Sequence, residues 1–511
     1  MKRTLRKRSS KFFSAFLPAS DGTAAAPRAQ QLADSPLVGS VTVVVRKESS
    51  APSGFRTLRT DSLHSSDTLR SIAQAADSPY VLLITADTTI EFSRFALERF
   101  AGVAQSTGAG LLFSNFDEIK GGERSAHPVA DYQLGSVRDD FDFGPVMVME
   151  AAALRAALGG AAHTQYRYAG LYAARLAIAR SRPVVRIPES LYAVGGGEKR
   201  RGEEAHFAYV DPRNRDLQLE MEHAVTHHLK KIGAYIPPVH DRVNLNEGEF
   251  PVRASIVIPV RNRASTIADA VSSALRQMVP FNFNVIVVDN HSTDGTTNIL
   301  RAFADRDVRV VHLIPLRKGL GIGGCWNEAV HHPQCGRFVA QLDSDDVYAD
   351  ESTLLRIVDT FYAEKCAMVV GSYRLTNMKL EELPPGLIDH REWTEDNGRN
   401  NALRVNGFGA PRAFFTPILR RTPFPDVSYG EDYAVGLAIS REHRVGRIYD
   451  PIYLCRRWEG NTDANIDIVR LSAYNTYKDT IRTFEIQTRQ RMAISTRTRA
   501  ATTKRPAGRR R

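Results

Sequence analysis

Short apolar runs and amphipathic stretches alternate along the chain. Val41–Val45, Tyr80–Thr85 and Gly110–Ser114 read as buried strands, with a capped helix near Asp67–Ala76 and an amphipathic helix over 91–105. Helical spacing follows from Ala151 and over 168–180, then a strand and turn over 183–194. Residues 195–215 form a Gly- and charge-rich stretch that reads as a loop, and Leu217–Ile232 reads as a helix closed by Pro237-Pro238. A second series opens at Ala254. It has strands at Ser255–Val260, Asn284–Asp289, Val308–Leu313, Phe338–Leu342 and 367–373, and helices at Ser265–Gln277, Gly295–Asp305, Trp326–His331 and 351–364. Gly319–Gly324 reads as a turn. Two such series predict α/β layers, a Rossmann-like mixed sheet flanked by helices, present twice.

The two series align. A shift of 261 superposes 168–194 on 429–455 with eleven identities in 27 positions, including Tyr168, Tyr172, Arg180, Arg186 and Tyr192 on Tyr429, Tyr433, Arg441, Arg447 and Tyr453. A shift of 258 superposes Tyr80–Thr88 on Phe338–Asp346. The first copy has lost charge at the matched positions: Thr85 and Thr88 stand for Asp343 and Asp346, and Gly170-Leu171 for Glu431-Asp432. If Thr42–Val45 is its first strand, it also lacks about 45 residues, including the counterpart of the strand that ends at Asp289.

Composition changes this picture only at the ends. The net charge of +11 resides in the tails: residues 1–20 hold six Lys/Arg and residues 489–511 hold nine, with no acid in either, which leaves 11 − 15 = −4 for the body. Solubilising disordered tails are the expectation. Weak attraction to an anionic membrane surface and an organellar transit peptide at the N-terminus are the alternatives. No apolar run is long enough for a membrane-spanning helix. The four scattered cysteines suit reduced, buried thiols in a cytoplasmic protein.

Four polar clusters in the second series carry candidate chemistry. Phe338–Leu342 runs directly into Asp343, Asp345 and Asp346. Hard oxygen ligands so spaced suit Mg²⁺ or Mn²⁺, and a solvated acidic turn is the plain alternative. Asp289 and Asn290 end a strand, where α/β sheets bind ligands and where a carboxylate or amide oxygen can accept from a base N–H. Ser292 and Asp294 beside them also fit as helix caps. Glu431 and Asp432 precede a helix. They could supply a general base, or merely complement the helix dipole. Arg456-Arg457-Trp458-Glu459-Gly460-Asn461 offers guanidinium groups for a diphosphate, or is an exposed basic loop.

In order, Ile-Pro-Val-Arg-Asn (258–262), Val-Val-Asp-Asn-His-Ser-Thr-Asp-Gly (287–295), Leu-Asp-Ser-Asp-Asp (342–346), Gly-Glu-Asp (430–432) and Arg-Arg-Trp-Glu-Gly-Asn (456–461) resemble the family 2 glycosyltransferases over about 253–485. The resemblance implies a GT-A fold, a nucleotide-diphospho-sugar donor, a divalent cation (Mn²⁺ or Mg²⁺) and inversion at the anomeric carbon. It puts Asp289 and Asn290 on the base or nearby sugar and Asp343 on the ribose side, with Pro259 and Asn262 also among the donor-binding residues. Asp345 and Asp346 would hold the metal, with Asp346 also facing the donor. Arg457, Trp458 and Asn461 would cover the diphosphate, and Asp432, with Glu431 beside it, would be the catalytic base. Arg261, Asn290 and Trp326 depart from common family residues. Leu454 stands where processive synthases carry Gln, which argues for transfer of a single sugar.

The expected organisation is a disordered basic tail and linker over 1–39, a degenerate GT-A-like copy over 40–235, a linker over 236–252, the catalytic domain over 253–488 and a disordered basic tail over 489–511. The copy is expected to pack on the catalytic half. The function expected is a non-processive, metal-dependent, inverting glycosyltransferase. Its acceptor would be a glycan, a lipid-linked molecule or a small molecule, and no nucleic acid would be a partner. The residues 376–406 are candidates for the acceptor wall. A non-catalytic nucleotide-sugar- or glycan-binding tandem is the alternative. A nucleotidyltransferase is disfavoured because Val260-Arg261-Asn262-Arg263 supplies no Gly-rich basic signature.

Overall fold

The computed structural model describes residues 11–503 apart from 21, 51, 160–163, 196–213 and 462–465. The described residues divide into two compact units, one holding 11–195, 215–233 and 467–479, the other holding 214, 234–466 and 480–503. Each unit is organised on one sheet.

In the first unit the strands are β1 (Phe13–Ala19), β2 (Val38–Arg46), β3 (Arg56–Thr60), β4 (Tyr80–Ile84), β5 (Thr89–Phe92), β6 (Leu111–Lys120), β7 (Glu123–His127), β8 (Val146–Glu150) and β9 (Val184–Gly195). In the second they are β10 (Ala254–Val260), β11 (Phe283–Asp289), β12 (Val310–Leu313), β13 (Phe338–Gln341), β14 (Val347–Tyr348), β15 (Met368–Thr376), β16 (Glu382–Ile388), β17 (Arg412–Phe415) and β18 (Val445–Arg456). The first sheet runs β3-β2-β1-β4-β8-β6-β9-β5 with β7 on β6. The second runs β12-β11-β10-β13-β17-β15-β18-β14 with β16 on β15. The two orders are the same, strand for strand. The parallel cores β1, β4, β10, β11 and β13 are apolar runs buried along nearly their whole length, as strands covered by helices on both faces must be. The duplicated α/β fold expected of the sequence is therefore present.

The register corrects how the first copy was expected to begin. Phe13 pairs with Tyr80 as Ala254 pairs with Phe338, so β1, not Thr42–Val45, is the counterpart of β10. Ser14 and Pro18 then stand where Ser255 and Pro259 stand. Val38–Arg46 is the second strand, and the inferred gap of about 45 residues does not exist. Ala19 pairs with Val45 and Val260 with Asp289, so the copy has Val45 at the position of Asp289. A proline is tolerated in both central strands because β4 pairs only as far as Phe16 and β13 only as far as Val257. Pro18 and Pro259 lie beyond those last pairs, where no N–H is needed on that side.

Both basic tails are corrected as well. Of 1–39, residues 1–10 lie outside the described residues. Residues 13–19 are the buried strand β1, and Gly22–Ala33 is a helix. At the other end a helix runs over Ile468–Thr503, and Arg489 within it is buried, so 489–503 is not an irregular tail. Its guanidinium donates to Glu485 Oε1 (2.6 Å), Asn400 Oδ1 (3.3 Å) and the Arg399 carbonyl (3.0 Å). Arg482, seven residues earlier on the helix, is also buried, and donates to the Tyr433 hydroxyl (2.9 Å), the Val405 carbonyl (2.9 Å) and Asn406 Oδ1 (2.6 Å). Like charges along a sequence read as solvated, but these guanidiniums are buried and hydrogen-bonded, Arg489 to Glu485 on its own helix and both to groups distant in sequence. Residues 504–511 and most of the 195–215 loop lie outside the described residues. No helix among the described residues is long and apolar enough to cross a membrane.

Candidate active site

The carboxyl ends of β10, β11 and β13 lie side by side in the second sheet, and the polar clusters gather there. Asp289 ends β11 fully buried. Its Oδ1 accepts from the Ser292 amide (2.9 Å) and its Oδ2 from Thr297 Oγ1 (2.5 Å), with His312 Nε2 at 3.4 Å. Burial opposes its charge, but the hydrogen bonds from His312, Thr297 and Ser292 outweigh it and hold the carboxyl well below the usual carboxylate range. Asn290, also buried, donates through Nδ2 to the Leu320 carbonyl (2.8 Å), while its Oδ1 accepts from no group among the described residues. Pro259 lies at the end of β10. Asn262 adopts φ +54°, accepts from the Thr293 amide (2.8 Å) and donates its own amide to Ser292 Oγ (2.9 Å), which joins the β10 and β11 turns.

The acidic turn is held from several sides. Gln341 Nε2 donates to Asp343 Oδ1 (2.8 Å), and the Asp343 amide donates to the Tyr453 hydroxyl (3.0 Å). Asp345 Oδ2 accepts from the Trp458 indole N–H and from Asn461 Nδ2, each at 3.2 Å, with the Arg263 guanidinium at 3.8 Å. Asp346 is buried, and its Oδ1 accepts from the Arg456 amide (2.7 Å). Burial and the neighbouring Asp343 and Asp345 carboxylates push Asp346 well above the usual carboxylate range. Asp343 is raised too, by burial against the pull of Arg412. The loop after β18 thus closes on the turn through Trp458 and Asn461. Arg457 contributes its backbone N–H to the Thr376 carbonyl (2.7 Å).

Glu431 and Asp432 open the helix Glu431–Glu442, whose N-cap Gly430 has φ +83°. Asp432 Oδ1 accepts from the Tyr433 amide (2.7 Å) and Oδ2 pairs with Arg412 at 2.9 Å. Their approach depends on three glycines. In the helix Ile322–His331 and just before it, a Cβ on Gly321, Gly323 or Gly324 would fall 2.5, 1.9 or 2.2 Å from atoms of Val427, Pro425 or Asp426. The chain 425–428 instead caps that helix: Asp426 Oδ1 accepts from the Gly321 amide (2.7 Å) and Ser428 Oγ from the Ile322 amide (3.3 Å). What reads as a glycine-rich turn is largely a helix start shaped to receive the strand of chain that delivers Asp432.

The predicted residues of the acidic turn, the strand ends and the post-β18 loop are therefore brought together. Among the described residues no group of three His, Cys, Asp or Glu side chains is arranged to hold a metal. Arg412, Gln341 and Tyr453 were not anticipated, and Arg456, expected as a diphosphate-facing guanidinium or part of an exposed basic loop, turns inward. Arg456 is buried, donates from Nε to the Asp345 carbonyl and pairs with Asp269 at 2.7 Å. Tyr453 was visible only as a repeat match, and nothing marked Arg412 or Gln341. The 376–406 stretch is less of an open wall than expected: Arg399, Asn400, Asn401 and Arg404 are buried, and Asn400 exchanges hydrogen bonds with both backbone groups of Ile236. Trp326 is a core residue, stacked on Phe424 at 5.2 Å. A cavity of about 830 Å³ opens elsewhere, at the amino ends of β10 to β12 beside Val252, Phe283 and Val308, away from these groups.

The family model described as Glycosyl transferase family 2 matches residues 255–425. Residues 255–425 are a family 2 glycosyltransferase domain. The domain is similar to several named transferases. WfgD of Escherichia coli, named a UDP-Glc:alpha-D-GlcNAc-diphosphoundecaprenol beta-1,3-glucosyltransferase, is 27% identical over 199 residues, 38% of this chain and 72% of that one. The poly(ribitol-phosphate) beta-glucosyltransferase of Bacillus spizizenii is 31% identical over 213 residues, 40% of this chain and 33% of that one. TuaG of Bacillus subtilis, named for teichuronic acid biosynthesis, matches over 46% of its length, so the chain spans about half of that relative. Among solved structures, S. aureus TarS 1–349 in complex with UDP-GlcNAc aligns at 22% identity and TM-score 0.36, over 46% of this chain and 72% of that one.

In the first unit the equivalent place has been refilled. Asp87, the counterpart of Asp345, pairs with Arg28 at 2.6 Å and accepts from the amide (2.7 Å) and hydroxyl (2.6 Å) of Ser20. Leu171 stands at Asp432 and is buried. A Cβ on Gly170, at Glu431, would fall 2.4 Å from the Ser66 amide nitrogen, so no side chain fits there.

Proposed function

We propose that the glycosyltransferase domain moves a single sugar, with inversion, from a nucleoside-diphosphate sugar to an acceptor hydroxyl with the help of a divalent cation. The observation that carries this reading is the closure of the Trp458–Asn461 loop on Asp345, beside the buried Asp289 and the unpartnered Asn290 oxygen. A base N–H suits that oxygen and the strand-end carboxylate. The names of the relatives suggest a uridine-diphosphate hexose as donor and a glycan or polyol-phosphate hydroxyl as acceptor.

The donor set fits a hard cation. Asp345 and Asp346 offer carboxylate oxygens, and such ions commonly take one or two carboxylates and complete their shell with substrate phosphate and water. Bound there, the cation would offset the charge of the leaving diphosphate. The chain's own groups account for the rest. Arg263, 3.8 Å from Asp345, and Trp458 line the diphosphate side. Asp432, paired with Arg412, accepts the acceptor's hydroxyl proton. The acceptor oxygen forms its bond to the anomeric carbon as the bond from that carbon to the diphosphate oxygen breaks. The electron pair leaves with the diphosphate, and the configuration inverts because attack comes from the opposite face.

The test is a panel of UDP-, GDP- and dTDP-sugars with Mn²⁺, read as released nucleoside diphosphate. One sugar class is expected to turn over, to stop with EDTA and to resume with Mn²⁺ or Mg²⁺. Asp432→Asn is expected to keep nucleotide binding and to lower kcat by about 10²–10⁴. Release that survives exhaustive chelation removes the cation from the reading. Full turnover by the Asn variant removes Asp432, and no release from any sugar removes the activity.

A further inference from the structure

Arg412 stands between the two halves of the candidate site. It opens β17, where it pairs with Val370 of β15, while the next residue, Ala413, pairs with Ala340 of β13. Its guanidinium lies 2.9 Å from Asp432 Oδ2 and donates to the Gly409 carbonyl at 2.5 Å. Its backbone N–H donates to Gln341 Oε1 (3.1 Å), and the same amide side chain donates through Nε2 to Asp343 Oδ1 (2.8 Å). One residue thus reaches the carboxylate at the helix start with its side chain and the acidic turn with its backbone.

The first unit provides an independent comparison. Leu82 pairs with Val148 and Leu83 with Met147, as Ala340 pairs with Ala413. With Leu82 at the position of Ala340, Met147 falls at Arg412. Leu171 falls at Asp432. Where the anion is gone the cation is gone too, and both are replaced by apolar residues of similar length. A half-buried ion pair behaves this way, since removing one partner strands the other while replacing both does not.

We propose that Arg412 is a positioning residue for the transfer reaction: it fixes one orientation of the Asp432 carboxylate and ties it, through Gln341, to the acidic turn. The proposal rests on the reading of Asp432 as the proton acceptor. Asp432 Oδ1 accepts from the Tyr433 amide and its Oδ2 pairs with Arg412, so both carboxylate oxygens are held in place.

Four variants of the full chain test it: Arg412→Ala, Arg412→Lys, Asp432→Leu and the double Arg412→Ala/Asp432→Leu. The probe is UDP-glucose with Mn²⁺, read as released UDP, alongside melting temperature. Arg412→Ala is expected to lower kcat by about 10²-fold with little change in KM, since the lost interaction serves the transition state. Arg412→Lys is expected to recover part of that loss. Millimolar guanidinium chloride is expected to raise kcat of Arg412→Ala and not of the parent, an effect that a merely structural role would not produce. In melting, the double variant is expected to lose less than the sum of the single losses. Unchanged kcat in Arg412→Ala, or additive melting losses, overturns the proposal. So does loss of turnover in Arg412→Ala when Asp432→Asn keeps it. If the parent releases no UDP, the transferase reading fails with this donor, and the melting cycle still decides whether the pair is coupled.

Discussion

A single imidazole shows how strongly this fold depends on paired charge. His127, at the end of β7, has Nδ1 2.8 Å from Glu118 Oε1 and Nε2 2.7 Å from Asp142 Oδ2, and its ring stacks on Phe116 at 4.2 Å. Both nitrogens can donate only in the imidazolium. Burial disfavours that charge, but the two carboxylates prevail and raise the His127 pKa above the ordinary 6.5. A raised folded pKa stabilises fully below the unfolded value and loses that contribution as pH climbs through the folded value. The melting-temperature difference between the parent and His127→Gln should therefore be greatest below about pH 6.5 and should shrink as the solution is made alkaline. A difference that grows with pH would mean the ring is neutral in the fold. The comparison of the two copies is informative at this scale too, because Val45 at Asp289 and Thr85 at Asp343 show that side chains can change while the strand beneath them does not.

Among the elements, the helix Ile322–His331 is the one whose packing most directly sets the site. Gly323→Ala would place a methyl 1.9 Å from the Pro425 carbonyl oxygen, and backbone cannot yield as a side-chain tip can. A loss of about 1–3 kcal/mol in urea unfolding is expected. Turnover should fall as well, because 425–428 leads straight to Asp432. Unchanged stability and kcat would show that the loop moves aside at no cost. This is also where sequence reasoning ran short. The strands were legible because β10, β11 and β13 are mostly apolar runs, and the acidic turn because a strand runs straight into it. The three glycines carried no sign of what they face, since a close approach is a property of two distant segments. Arg412 looked like any other arginine until the strand that carries it was placed. The first strand was missed for the opposite reason: its neighbours Lys2 to Lys11 coloured the reading of an apolar segment that is itself fully legible.

For the molecule as a whole, the question is why a chain carries two sheets of one topology when only one has Asp289, Asp343, Asp346 and Asp432 at positions the other fills with Val45, Thr85, Thr88 and Leu171. The structure gives a direct way to ask it. In the full chain, Asp87→Asn should leave UDP-glucose turnover with Mn²⁺ unchanged, whereas Asp345→Asn should lower it by about 10²-fold or more. Loss of turnover in the Asp87 variant would make the first unit a participant in the reaction. The Arg28–Asp87 pair has one more consequence. A dissolved cation stabilises what it binds only in proportion to its free concentration, and a chelator withdraws that support. A guanidinium on the same polypeptide is never diluted. The counter-ion of Asp87 thus belongs to the first unit's own sequence, whereas the other unit's chemistry is proposed to depend on a dissolved divalent metal.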